Sequence, residues 1–159
     1  MTTTEISSVC LSAAIERDLF RTGLRAAVAA GMITDPKATT RPMRSPMVVS
    51  ELPDRSRHYP HIVVGEASDT ADRPDSRSDL WEHSHSVAIE IHTETATHLY
   101  LIRDQVRGWI MANVDALNSA GFTDPEIATS VPASWDTPSQ VRQWRFIVKG
   151  TVYTTEDET

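Results

Sequence analysis

Histidines in the middle of this sequence have the greatest capacity for chemistry. His83 and His85 form an H-x-H pair, and in a β-strand they lie on one face, where two imidazoles can bind one metal ion. His92 has the opposite parity and points to the other face. A metal site needs a third ligand, and no motif fixes Glu94 or Asp79 nearby. The pattern therefore favours histidines at the surface or at a strand end over a metal centre.

Other catalytic patterns are absent from the sequence. Ser84 and Ser86 flank His85, but neighbours in a strand face opposite ways and form no serine–histidine pair. The single cysteine, Cys10, lies in an apolar pattern that predicts a buried thiol. The six glycines are not clustered, so there is no P-loop or dinucleotide fingerprint. We therefore predict no catalytic, cofactor-binding or metal-binding residues, and a protein that is not an enzyme.

Acidic residues recur from Gly65 to Asp79, a segment without hydrophobic periodicity or large apolar side chains. Asp69, Asp72 and Asp75 follow one another without the ligand spacing of a calcium-binding loop. Segments of this length and composition are typically functional loops or disordered. The sequence predicts a flexible exposed loop or a long hairpin tip at 65–79, whose aspartates are candidates for contact with a partner.

Alternation of apolar and polar residues predicts the strands. The clearest runs from His83 to His92, with Val87, Ile89 and Ile91 on one face. The longest runs from Gln140 to Thr154. Shorter strands are predicted at 47–52, 61–64 and 126–131, and Trp144, Phe146, Val148 and Val152 share one face of the last strand.

Apolar residues three and four positions apart predict two helices. The first runs from residue 5 to Gly31, and Gly23 within it marks a bend or a close contact. The second begins at a capping Thr95 or Thr97 and ends at Gly121. Its apolar stripe consists of Leu99, Ile102, Val106, Trp109, Ile110, Asn113 and Leu117.

Strands outnumber helices, and few strands are joined by helices. This order predicts an α+β fold, a mostly antiparallel β-sheet with two helices packed on one face. The 159 residues are expected to form one domain, 1–159, with a frayed acidic tail at 154–159.

A net charge of −7 argues against an electrostatic grip on nucleic acid. No membrane span or signal peptide is visible, which predicts synthesis in a cytoplasm.

Aromatic and basic residues outside the predicted core are further candidates for contact with a partner. Trp81 and Trp135 lie beside loops, and they are either interface anchors or residues at the rim of the core. Arg103 and Arg107 lie one turn apart on the long helix, near Asp104. They form a solvated or salt-bridged face that could meet an acidic neighbour in an oligomer.

The order of the elements resembles a known family. An N-terminal helix is followed by the strand YPHIVVG, a polar loop, the strand HSVAIEIHTE, a long helix and the closing strand WRFIVKGTVY. Over roughly residues 5 to 153 this organisation is similar to the tail terminator, or tail completion, proteins of long-tailed phages and archaeal tailed viruses. The loop before the second of these strands is longer and richer in aspartate than the family pattern.

The resemblance implies a structural virion protein without a cofactor. Such proteins form a hexameric ring that caps the tail tube, stops its polymerisation and offers the surface that joins tail to head. The implied partners are further copies of the chain, the major tail tube protein and head-to-tail connector or neck proteins, with DNA passing through the lumen without specific binding. The implied location is the virion tail or neck, after assembly in the host cytoplasm. The alternatives are another neck or head-completion protein, and a small cellular α+β enzyme or ligand-binding domain that uses the histidine-rich strand.

Overall fold

A computed structural model describes residues 15–43, 45–52, 58–72, 80–132 and 141–155 of the chain. The predictions for Cys10, Asp75, Trp135 and the end of the acidic tail lie outside these residues. So does the predicted start of the first helix.

Five strands form one sheet in the order β1–β2–β3–β5–β4. β1 runs parallel to β2, and the other three pairings are antiparallel. The predicted α+β fold with a mostly antiparallel sheet is therefore confirmed. The strands are β1 (Val48–Val49), β2 (His61–Asp72), β3 (Leu80–Thr93), β4 (Thr123–Pro132) and β5 (Arg142–Thr155).

The helical segments of the described chain precede β1 and follow β3. The first has π-helical hydrogen bonding and continues directly into the second. Gly31, with φ of +79°, and Gly121, with φ of +102°, take the left-handed conformation that ends helices, as the sequence predicts. The segments are α1 (Ile15–Arg21), α2 (Thr22–Ala29), α3 (Ala96–Ala112) and α4 (Val114–Ser119).

The single long helix predicted after β3 is wrong in one respect, because it divides at Asn113 into α3 and α4. The Asn113 side chain donates from Nδ2 to the carbonyl oxygen of Trp109 at 2.8 Å. An asparagine that hydrogen-bonds nearby backbone in this way competes with helix continuation. At the other end, Thr95 is the N-cap and accepts from the backbone N–H of His98 at 3.2 Å.

The core lies between the helices and one face of the sheet. Phe20 is fully buried and packs edge-to-face on Phe122 and Trp109, with ring centroids 5.4 and 6.1 Å away. A Cβ on Gly23 would lie 2.6 Å from Cζ2 of Trp109, so the close contact predicted at this glycine is confirmed. The buried sheet residues on this face are Ile62, Val64, Val87, Ile89, Ile91, Phe146, Val148 and Val152, and Trp144 packs against them while partly buried.

The flexible loop predicted at 65–79 is wrong for residues 65–72, which form one arm of the β2–β3 hairpin that the sequence allows as the alternative. The backbone from Gly65 to Asp72 belongs to β2 and pairs with β3 from Ala88 to Glu82, with one irregularity between Glu66 and Ser68. Main-chain hydrogen bonds to a neighbouring strand need no apolar alternation, so a polar segment forms a strand when a partner strand lies beside it. Residues 73–79 lie outside the described residues.

Candidate assembly interface

The outer edge of β2 is a prominent feature of the described sheet. β1 pairs with β2 only at Ile62 and Val63. From Val64 to Asp72, a stretch called here the β2 edge, no described strand pairs with this side of β2. Such an edge presents N–H and C=O groups that another strand can bind.

The opposite edge of the sheet has a different character. It is formed by β4, which carries Pro125 and Pro132. Proline has no N–H to donate, and prolines on an edge strand block the addition of a further strand. The β2 edge contains no proline, so strand addition is favoured on that side of the molecule.

The sequence-predicted acidic candidates fall on the β2 edge. Asp69 pairs with His85, and Asp72 pairs with Glu82 near the end of the ladder. Trp81 is the next residue of β3 and is partly buried, in register with Thr154 of β5. The fold therefore brings Asp72 and Trp81 to one end of the sheet.

The two arginines predicted as a contact face differ in how closely contacts within the chain hold their side chains. The guanidinium carbon of Arg103 lies 4.7 Å from the ring centroid of Trp144 and 5.0 Å from that of Tyr100. Such cation–π contacts stabilise by about 0.5–2 kcal/mol, depending on solvent exposure. Arg107 is more exposed and donates from Nη2 to Oγ of Ser130 at 3.2 Å. Arg103 therefore anchors α3 to β5, whereas Arg107 remains accessible.

The H-x-H pair is buried on the core face of the sheet, so the expected position at the surface is wrong. The rings of His83 and His85 stack with their centroids 6.0 Å apart. They share the face of Val87, which packs in the core. Among the described residues, no group of three or more His, Cys, Asp or Glu side chains could hold a metal ion.

A buried ion pair between Asp35 and Arg41 has no counterpart in the sequence predictions. Arg41 donates from Nε and Nη2 to the two carboxylate oxygens, both at 2.8 Å. It also donates from Nη2 to the Pro60 carbonyl at 3.0 Å, from Nη1 to the Ser45 carbonyl at 3.3 Å, and from Nη1 to the His58 carbonyl. One guanidinium thus fastens two irregular segments to the start of β2.

His61 and His92 lie next to this ion pair as cross-strand partners. Both are buried, and Nδ1 of His61 lies 3.0 Å from the Pro46 carbonyl oxygen, to which it donates as the neutral tautomer. Burial lowers the pKa of His61, and the charge of Arg41 lowers it further, against opposing hydrogen bonds to the backbone. A hydrogen bond with His92 lowers the pKa of Glu90.

The lowered pKa of His61 predicts a loss of stability in mild acid. The unfolded chain binds a proton near pH 6.5, whereas the folded protein resists it, so the stabilisation is present above about pH 6.5 and is lost as the pH falls through the folded pKa. The positive charge of Arg41 faces His61, as do His92 and the ring of Tyr59, and Asp35 partly offsets that charge. We expect His61→Gln to flatten the dependence of the unfolding free energy on pH below about 6.5. Urea unfolding followed by circular dichroism measures it, and equal slopes in variant and parent would contradict this assignment.

Two comparisons with known proteins supply no relative from which a function could be considered for this chain, so a functional proposal has to rest on its own residues. No protein-family model matches the sequence, and no curated protein matches it significantly. Among the described residues, no helix is long and apolar enough to cross a membrane.

Proposed function

We propose that the protein is a structural virion subunit, a tail terminator that forms a ring on the end of the tail tube. The observation that supports this proposal most is the β2 edge. A cyclic ring is built from one head-to-tail interface repeated by rotation. A free strand edge supplies such an interface, because added main-chain hydrogen bonds join neighbours while side chains set the register.

Charge on the β2 edge limits when this pairing occurs. Glu66, Asp69 and Asp72 lie on the edge strand of a chain whose net charge is −7. Like charges between approaching copies are repelled at low ionic strength and screened at high ionic strength. Acidic edge residues therefore keep free subunits apart, and ring formation is favoured by salt or by the tail tube itself.

The role in the virion follows from the ring. One rim binds the last ring of the major tail tube protein and stops polymerisation, and the other binds the connector or neck proteins. An acidic subunit leaves DNA free to pass through the lumen, since it offers few cations to neutralise phosphates. Another neck protein of a tailed virus is the nearest alternative, and the position of the subunit in the particle distinguishes the two.

The ring is tested by measuring mass as a function of salt. We expect light scattering on a sizing column to show a hexamer at about 1 M salt and smaller species at about 0.1 M, where charges are less screened. Electron microscopy should show rings, and the subunit should lie at the head-proximal end of the tail. A chain that stays monomeric or dimeric at every salt concentration, and is absent from that end of the tail, would overturn the proposal.

Two proline substitutions test the β2 edge itself. Consecutive residues of a strand direct their N–H groups to opposite edges. Of Asp69→Pro and Thr70→Pro, one therefore removes a donor from the β2 edge, and the other removes a donor to β3. We expect the variant that removes a donor from the β2 edge to keep the parent's circular dichroism spectrum and to lose the hexamer. If both variants remain folded and hexameric, the β2 edge is not the ring contact.

A further inference from the structure

The outward surface of α3 is unusually apolar for a helix face turned to solvent. Tyr100, Leu101 and Met111 are 48, 43 and 65 % exposed. An outward helix face is normally charged or polar, since the apolar stripe packs on the core. We call the following exposed residues the outer face of α3: Tyr100, Leu101, Asp104, Arg107, Gly108, Met111 and Ala112.

A glycine lies in the centre of this face. Gly108 is exposed in the interior of α3, where glycine is among the least favourable residues. A Cβ added to it would meet no atom within 4 Å, so packing within the chain does not require a glycine here. A missing side chain on an exposed helix allows another backbone to approach closely.

The outer face of α3 is also complementary to itself. Leu101 and Met111 lie at equal distances from Val106 along the helix, as do Asp104 and Gly108. When two such helices cross antiparallel at this point, Leu101 of each copy meets Met111 of the other. Asp104 then lies over Gly108 of the other copy and within reach of its Arg107.

The charges support this arrangement. Nη1 of Arg107 is 4.0 Å from Oδ1 of Asp104 in the same chain, a loose contact between exposed side chains. Arg103 is held by Tyr100 and Trp144, and its Nη2 lies 2.9 Å from Oδ1 of Asp104. Arg107 donates to Ser130 and lies over the Phe146 ring, but 45 % of its side chain is exposed, as is 60 % of that of Asp104. These two exposed charges are the ones that a second copy can reach. A twofold contact uses each pair twice, so it would contain two Asp104–Arg107 pairs between copies.

We propose that the outer face of α3 binds a second copy of this chain in an antiparallel, twofold pair of helices. The contact is independent of the proposed ring, because it uses α3 and leaves the β2 edge free. The two contacts respond oppositely to salt. Ion pairs across α3 weaken as salt rises, whereas the repulsion that opposes the β2 edge contact is screened.

Charge reversal tests the pair at two exposed side chains. At about 0.1 M salt we expect the parent to form dimers, and Asp104→Arg and Arg107→Asp each to weaken the dimer at least tenfold by analytical ultracentrifugation. The double variant carrying both substitutions should recover most of the affinity. A parent that is monomeric at on the order of 0.1 mM protein, or a dimer unaffected by either reversal, would overturn the proposal.

Gly108→Leu separates a role of this glycine in the contact between copies from a role in the fold of the single chain. The leucine fills open space in the single chain, so we expect its melting temperature to rise while the dimer is lost. A variant that keeps the parent's dimer affinity would contradict close helix approach at this residue.

Disulfide trapping then fixes the direction of the helices. In a Cys10→Ser background, oxidation should link Leu101→Cys of one copy to Met111→Cys of another. Thr97→Cys with Met111→Cys, offset by about a turn, is the matched control. Equal linking in both pairs would overturn the antiparallel register. If rings form but the dimer does not, the proposed α3 contact is wrong. If the dimer forms but rings do not, the proposed ring contact is wrong.

Discussion

Gly150→Ala is expected to destabilise the protein by about 3 kcal/mol or more, since overpacking a well-packed core has effects of that size. A Cβ at this position of β5 would lie 2.2–2.5 Å from three carbons of the Phe122 ring. The ring has little room to move, because Phe122 is fully buried and packs edge-to-face on Phe20. Urea unfolding followed by circular dichroism measures the loss.

Two further variants separate this overlap from a general effect of removing glycine. Gly65→Ala, in β2 of the same sheet, adds a Cβ with no atom within 4 Å. We expect this variant to raise the unfolding free energy by about 0.5 kcal/mol. Phe122→Leu shortens the opposing side chain and should recover part of the loss when combined with Gly150→Ala. Equal destabilisation by both alanines, or no coupling with Phe122, would rule out the overlap as the cause.

Asp35→Asn is expected to reduce the unfolding free energy by about 3–5 kcal/mol, the usual effect of breaking a buried ion pair. The carboxylate and guanidinium are almost inaccessible, at 7 and 6 % exposure of their side chains. Without the carboxylate, the charge of Arg41 stays buried with carbonyl oxygens alone as partners. The two segments fastened by this guanidinium should then come away from the start of β2.

Acid should have the same effect on the parent. Burial raises the pKa of Asp35, but hydrogen bonds from Arg41 and the Lys37 backbone, with the charge of Arg41, outweigh it and lower the pKa. The stabilisation is therefore present above about pH 4 and is lost as the pH falls through the folded pKa. This window lies below that of His61, so a pH series of unfolding free energies distinguishes the two groups.

The matched control is an ion pair of similar length on the surface. Nε of Arg17 lies 2.9 Å from Oδ1 of Asp18, but these side chains are 61 and 56 % exposed. Surface pairs contribute little because water solvates both partners, so Asp18→Asn should leave the unfolding midpoint unchanged. Similar losses in both variants would mean that burial does not determine the strength of the Asp35–Arg41 pair.

The sequence predicts the elements that cross the core, because burial of one face leaves a periodic pattern. The alternation of Val87, Ile89 and Ile91, and the helical stripe from Leu99 to Leu117, both lie in the core where that pattern puts them. Where burial does not repeat along the chain, the prediction fails. The second half of β2 is polar and forms a strand only because β3 lies beside it.

The candidate interface, like the fold, is predicted by the sequence only in part. The positions of Arg103 and Arg107 one turn apart follow from helical spacing, but only the packing of β5 under α3 makes Arg103 an anchor and leaves Arg107 accessible. The Asp35–Arg41 pair leaves no sequence signal, because irregular segments have no period that relates a carboxylate to its partner. The burial of His83 and His85 also depends on which sheet face the helices cover.

The sequence by itself determined the α+β class, the buried stripes and the glycines that end helices, since each depends on local backbone preference or on the repeat of apolar side chains. The tertiary structure decided which strand edge has no partner among the described strands, which charges are buried and which helix face remains exposed. These properties depend on residues far apart in the chain, and a single sequence does not contain the distances between them.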